Sequence, residues 1–250
     1  MKIVYDPRFE VEYSDEPAAE KGRIQVIYEE LKDSYEFVKP EPASEEDLAL
    51  VHTKAHIQSI KGSGLYEIAR LAAGGAIKAA EIGYSGEPAF ALIRPPGHHA
   101  GVDFYWGFCY FNNIAVSVQK LRREGKVKKV LIVDFDLHYG DGTANIFVNE
   151  PQVAYYHLLR RAKSQQLYAF SKYLSTLKDY DIVAVSAGFD AHVEDWGRWL
   201  ETEDYKEIGG LIKEFAKRVC QGRRYAVLEG GYNQRVLGKN VKAFIEGFKD

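Results

Sequence analysis

Residues 130–142 read VLIVDFDLHYGDG, and this stretch decides how the rest of the chain is to be understood. Four apolar residues are followed by Asp134, Asp136 and His138, three polar groups at alternate positions. Successive side chains of an extended chain point to opposite faces, so these three are expected to project together from the end of a strand. A carboxylate and an imidazole presented in this way suit a divalent, zinc-like ion, which takes few N and O donors when its role is catalytic. A polar run after a strand is also what a solvated turn looks like, so this stretch alone leaves both readings open.

Three other segments share the design. AFALI at 89–93 stops at Arg94-Pro95-Pro96-Gly97-His98-His99; DIVAV at 181–185 leads into SAGFDAH at 186–192; YAVL at 225–228 leads into EGGYN at 229–233. Nearly continuous apolar runs of this length are the mark of strands buried on both faces of a parallel sheet. In open parallel sheets, sites form beyond the carboxyl ends of the strands. Four strands that each end in titratable or glycine-rich chemistry point to one shared site.

Between the strands the periodicity is helical. Residues 20–31 place Ile24, Ile27, Tyr28 and Leu31 on one face, and Ser44 with Asp47 three residues later forms a capping-box start. The alanine-rich stretch 68–82, with Gly74-Gly75 inside it, predicts a helix packed very closely on a neighbour. Residues 113–121 and 202–220 are further helices, the second with Tyr205, Ile208, Leu211, Ile212 and Phe215 on its buried side. Strands alternating with helices predict a three-layer α/β/α fold with a mostly parallel central sheet. No repeat or linker divides the 250 residues, so one domain over 1–250 is expected.

Composition excludes several classes. A net charge of −3 gives no basic field for nucleic acid, and the basic run KLRREGKVKK at 120–129 reads as a helix C-terminus and turn. MKIVYDPRFE at the start lacks an apolar signal region, and no run reaches the roughly 18 residues of a membrane span, so a cytoplasmic protein is expected. Cys109 and Cys220 have neither CxxC spacing nor a disulfide framework and read as small core residues.

RPPGHHA at 94–100, GFCYFNN at 107–113, DFDLHYGDGT at 134–143, SAGFDAH at 186–192 and LEGGYN at 228–233 resemble, in order and spacing, the signature motifs of the histone deacetylase family. That family includes bacterial and archaeal members, among them acetylpolyamine amidohydrolases and acetoin-utilization-type proteins. The resemblance covers most of the chain and implies an arginase/deacetylase-like fold. It implies Asp136, His138 and Asp190 as zinc ligands, and His98 and His99 as paired active-site histidines backed by Asp134 and Asp141 respectively. It implies Tyr232 as the group that binds the developing oxyanion, and Gly107 and Phe108 as lining of an acyl-lysine-type channel. His99 is implied as the general base and acid.

The chemistry agrees with these residue types. Amide hydrolysis needs a polarised carbonyl and an activated water, and a divalent ion supplies both. A carboxylate behind a histidine fixes its tautomer and raises its basicity. A tyrosine hydroxyl can hydrogen-bond a tetrahedral oxyanion. Gly230-Gly231 is expected to let Tyr232 swing.

Other residues read as structure. His52 and His56, four apart, could pass for a helical metal pair, but the resemblance gives that segment no metal role. His192 is expected to support its loop. Tyr105, Trp106, Trp196 and Trp199 either line the channel mouth or cover core. Asp15, Glu16, Glu194 and Asp195 could attract a cationic substrate but read mainly as a solvated face.

Departures from the family narrow the substrate. The chain between Tyr155 and Asp181 is short and lacks the Phe-Pro-Gly-rich loop that forms one channel wall, which predicts a wider site in which Phe108 has lost its aromatic partner. His157 stands where the family often has a serine serving a structural monovalent cation, which speaks against carrying that potassium site over. The stretch 61–65 has no counterpart of the acidic residue that grips a peptide backbone. A zinc-dependent deacylase acting on a small acetylated, polyamine-like amine or on acetyl-lysine is the leading expectation. An arginase-type binuclear hydrolase would need further bridging carboxylates, and a non-catalytic acyl-ligand sensor would not need Tyr232.

Overall fold

The computed structural model describes residues 1–158 and 163–250, with the side chains of 163 and 164 excluded. Its centre is a seven-stranded sheet in which every recorded pairing is parallel. The strands are β1 (Lys2–Val4), β2 (Glu36–Val38), β3 (Ala89–Ala91), β4 (Val130–Asp134), β5 (Val153–His157), β6 (Ile182–Ala187) and β7 (Arg224–Leu228). Their spatial order is β2-β1-β3-β7-β6-β4-β5. The four strands that lead into chemistry are therefore the four central neighbours β3, β7, β6 and β4. Every residue of these four is buried, as continuous apolar runs require when both faces are covered.

The helices are α1 (Arg23–Leu31), α2 (Glu45–Leu48), α3 (Lys54–Lys61), α4 (Tyr66–Tyr84), α5 (Asn113–Arg123), α6 (Asp141–Phe147), α7 (Lys163–Thr176), α8 (Thr202–Val219) and α9 (Gln234–Phe248). α4 packs on α5 and on the strands, while α9 packs on both α8 and α1; Phe244 of α9 meets Phe90 and Phe135. The result is the three-layer α/β/α arrangement. α2 carries the capping box expected of Ser44 and Asp47. α4 packs closely at its glycines: a Cβ on Gly74 would lie 1.9 Å from the main-chain oxygen of Glu41.

Several elements have weak sequence signatures. β1 and β2 are three residues long, too short for a period to show, and β5 is an edge strand whose residues are mostly half-buried. α6 starts inside the YGDG turn at 139–142 and α9 starts directly after Asn233, whose side chain caps it by accepting from Arg235 N. Both are hidden behind motifs that read as loops.

Candidate active site

The functional side chains sit on the turns that leave β3, β4, β6 and β7. β4 ends at Asp134, so Asp136 and His138 lie beyond the strand rather than on it. Side-chain-to-backbone bonds hold the turn: Asp134 Oδ1 accepts from Asp136 N at 3.0 Å, and Asp136 Oδ1 accepts from His138 N at 2.9 Å. The alternation seen in the sequence thus arises from successive Asx-type turns, in which a short carboxylate binds the backbone two residues on. The strand pleat ends one step earlier.

Asp136, His138 and Asp190 converge. One ligand atom from each lies within 4.8 Å of the others. His138 Nδ1 lies 3.1 Å from Asp136 Oδ1 and 2.9 Å from Asp190 Oδ2, and a single ring N–H cannot serve both carboxylates. Asp190 Oδ2 is buried and makes no hydrogen bond of acceptable geometry. The other oxygens are satisfied: Gly230 N donates to Asp136 Oδ2 at 2.7 Å and Leu137 N to Asp190 Oδ1 at 3.0 Å. The close carboxylates of Asp136 and Asp190 push the His138 pKa up to about 10, while burial and the neighbouring Asp136 push Asp190 up to about 7. Two buried carboxylates and an imidazole that must share a proton are a donor set that fits a divalent cation. A Cβ on Gly230 would lie 2.5 Å from Asp136 Oδ2, so Gly230 allows close approach to these carboxylates, while Gly231, at φ 115°, packs against Leu237 and Phe189.

Two histidine–carboxylate pairs stand beside this cluster. His98 Nδ1 meets Asp134 Oδ2 at 3.1 Å and His99 Nδ1 meets Asp141 Oδ1 at 2.7 Å. An ionised carboxylate only accepts, so Nδ1 carries the proton in each pair and Nε2 is left for the site. Burial opposes protonation of His98, but the charges of Asp136 and Asp134 outweigh it and raise its pKa well above the ordinary value. Burial, with His98 adding repulsion, lowers His99 to about 4.

Both histidines open onto a cavity of about 130 Å³, whose wall also includes Gly107, Phe108, His138, Trp106, Trp196 and Tyr232. Gly107 and Phe108 both have positive φ, 58° and 62°, and Gly107 tolerates it by lacking a Cβ. Trp106 and Trp196, 49% and 55% exposed, line this cavity, whereas Trp199 packs against the core and Tyr105 against His56 and Tyr110. Trp106 and Trp196 supply aromatic wall to this cavity beside Phe108. The connection 159–162 lies outside the described residues.

Several further residues support the site. Tyr155 donates to Asp134 Oδ2 at 2.9 Å, and Glu229 accepts from Gly97 N, His98 N and the Ser186 hydroxyl. Asp195 is buried rather than part of a solvated face: its Oδ2 accepts from the main-chain N–H groups of Tyr232 and Asn233. Glu229 sits inside the LEGGYN motif and was legible there; Tyr155 was not, and for Trp106 the sequence left channel mouth and core cover both open. His52 and His56 are buried and bonded to backbone, at Gly101 O and Tyr110 O, and burial lowers the pKa of both. His192 accepts from Glu194 N within its loop, and both cysteines are free and buried. His157 Nε2 donates to Asp136 O at 3.0 Å.

Sequence comparison agrees with this site: the histone deacetylase domain matches residues 18–170 and 160–248. The chain belongs to the histone deacetylase family. It is similar to a probable deacetylase of Methanothermobacter thermautotrophicus, 29% identical over 99% of this chain and 90% of that one. A probable deacetylase of Archaeoglobus fulgidus is 32% identical over 78% of this chain and 69% of its own length. Among solved structures, the crystal structure of the HDA15 HD domain superposes with a TM-score of 0.85 at 27% identity, covering 99% of this chain and 90% of that chain. Membership in this family makes the chain a deacetylase- or amidohydrolase-type hydrolase. No helix among the described residues is long and apolar enough to cross a membrane.

Proposed function

We propose that this histone deacetylase-family protein is a zinc-dependent amidohydrolase that removes an acetyl group from an amine, either a polyamine-like small molecule or an acetyl-lysine side chain. The observation that carries the reading is the orphaned Asp190 Oδ2 facing Asp136 and His138 beside two histidine–carboxylate pairs at one small cavity. Bound by Asp136, His138 and Asp190, zinc would polarise the carbonyl and lower the pKa of a water toward about 7.

The chain's own groups divide the remaining work. His99, held neutral by burial, has Nε2 free to accept the water proton and return it to the leaving amine, while Asp141 keeps its Nδ1 protonated. His98, favoured as imidazolium between Asp134 and Asp136, supplies fixed positive charge beside the reacting oxygen. Tyr232, whose main chain is tied to Asp195 and whose ring lies 4.1 Å from Trp196, lines the same cavity, where its hydroxyl would serve the oxyanion. Burial raises the Tyr232 pKa, so it remains a proton donor in the hydrogen bond. Phe108 and the two tryptophans exclude water and bound a slot suited to a narrow acyl-amine rather than a bulky group. Asp195 is committed to the backbone, so Glu16 in the cavity wall is the acidic group that would attract a cationic tail.

The test is acetate release from a panel of acetylated polyamines and acetyl-lysine peptides, with metal content measured on the same sample. Turnover lost on chelation and restored by zinc is expected. A zinc-loaded protein that binds these compounds without releasing acetate would support the sensor reading instead.

A further inference from the structure

We propose that Trp106 is a positioning residue for the proton-transfer pair His99–Asp141, acting through the Asp141 carboxylate. The inference rests on the reaction proposed above. The indole Nε1–H donates to Asp141 Oδ2 at 2.9 Å, and Asp141 Oδ1 accepts from His99 Nδ1 at 2.7 Å. One carboxylate is thus clamped between two ring N–H donors, so its orientation toward His99 depends on the indole. The same indole ring lies over the imidazole, with centroids 3.8 Å apart and planes inclined by 31°. Trp106 therefore touches both members of the pair at once, through its nitrogen and through its face.

Among the described residues, no other side chain is recorded in contact with both members of the pair. The Asp141 side chain is 41% exposed at the first position of the short helix α6, where a carboxylate has open rotamers and solvent to turn toward. The buried pair needs no such clamp, because Asp134 is fully enclosed and also accepts from Tyr155 and from the backbone of Asp136. Trp106 is itself half exposed, in a run with Phe104 and Tyr105 that also stays exposed. Core packing does not account for keeping a large ring at this place. Its partners do: it covers His99, which is itself buried, and it removes the freedom of the carboxylate that sets the His99 tautomer.

Two roles must be told apart: wall of the cavity and clamp on Asp141. Trp106→Phe keeps an aromatic face over His99 and removes the N–H. Steady-state kinetics on the acetylated panel, in the wild-type and Asp141→Ala backgrounds, form a double-mutant cycle. With Asp141 present, kcat is expected to fall about tenfold with KM within about twofold, in the range of lost supporting hydrogen bonds. With Asp141 replaced by alanine, the same change is expected to leave kcat alone. An equal loss in both backgrounds, or a loss confined to KM, would reduce Trp106 to a wall. The second readout needs no turnover: ¹⁵N spectra of histidine-labelled, chelated protein should show the Nδ1–H tautomer of His99 in the wild type and a tautomer mixture in Trp106→Phe. Unchanged His99 resonances overturn the proposal. Wild-type protein that releases no acetate would count against the proposed reaction, and the spectra would still decide whether Trp106 holds the pair.

Discussion

The two histidine–carboxylate pairs have the same chemistry and opposite surroundings. His98–Asp134 is enclosed: Asp134 ends a central strand, is fully buried, and gathers hydrogen bonds from His98, Tyr155 and the Asp136 backbone. His99–Asp141 stands at the rim, where Asp141 begins a helix, is partly solvated, and has the Trp106 indole on its second oxygen. The fold itself immobilises the inner pair, while one surface side chain holds the outer one. The difference teaches how adjacent histidines take different protonation states: the inner imidazole lies between two carboxylates and retains charge, and the outer one, facing that charge, remains neutral.

The largest expected effect removes the floor both pairs share. Asp190→Ala should lose bound metal and bring acetate release to background, measured by metal analysis and turnover together; full zinc occupancy with normal turnover would remove the metal assignment. Next, His99→Ala should lower kcat by about 10²–10⁴-fold with metal retained. If His98→Ala costs as much while His99→Ala costs little, the roles of inner and outer pair are reversed. Tyr232→Phe, which touches neither pair, should lower kcat by about 10²–10³-fold with little change in ligand affinity. An unchanged kcat would place the oxyanion donor elsewhere.

Smaller effects separate the inner pair by stability rather than rate. Tyr155→Phe strips a buried donor from Asp134 and should cost about 1–3 kcal/mol in denaturant unfolding, with a milder effect on kcat than Trp106→Phe. The reverse ranking would break the contrast between an inner pair held by the fold and an outer pair held by one side chain. Glu229, which accepts from the His98 backbone, has its pKa raised by burial from 4.5 to about 7. Between those values the folded state binds more protons than the unfolded one, so this group's contribution to stability declines as pH rises from about 4.5 to about 7 and is level above. Glu229→Gln should flatten that part of the stability–pH curve; an unaltered slope would mean that Glu229 is ionised in the folded protein throughout.

Much of this was legible in the chain because buried parallel strands leave a strong mark. The apolar runs before Asp134, Ser186, Glu229 and Arg94 reported the four central strands, and their polar ends reported the site. β1, β2 and β5 left little mark, since three-residue and edge strands lack both length and continuous burial. Asp136 and His138 do converge, but not through the extended strand the sequence suggested, because Asx turns also place every second residue on one side. Asp195 looked like one more surface acid, and a sequence has no way to report that two backbone N–H groups 37 and 38 residues away need its oxygen.

The sequence by itself determined the layered parallel fold, the family, and the residues His98, His99, Asp134, Asp136, His138, Asp141, Asp190 and Tyr232 as one constellation, because these depend on local patterning and on motifs that lie within a few residues of strand ends. Only the tertiary structure decided how the two histidines differ, that Trp106 and Trp196 wall the cavity, and that Tyr155, Glu229 and Asp195 support it. Those properties depend on burial and on partners far apart along the chain, and both are set by packing rather than by neighbours in sequence.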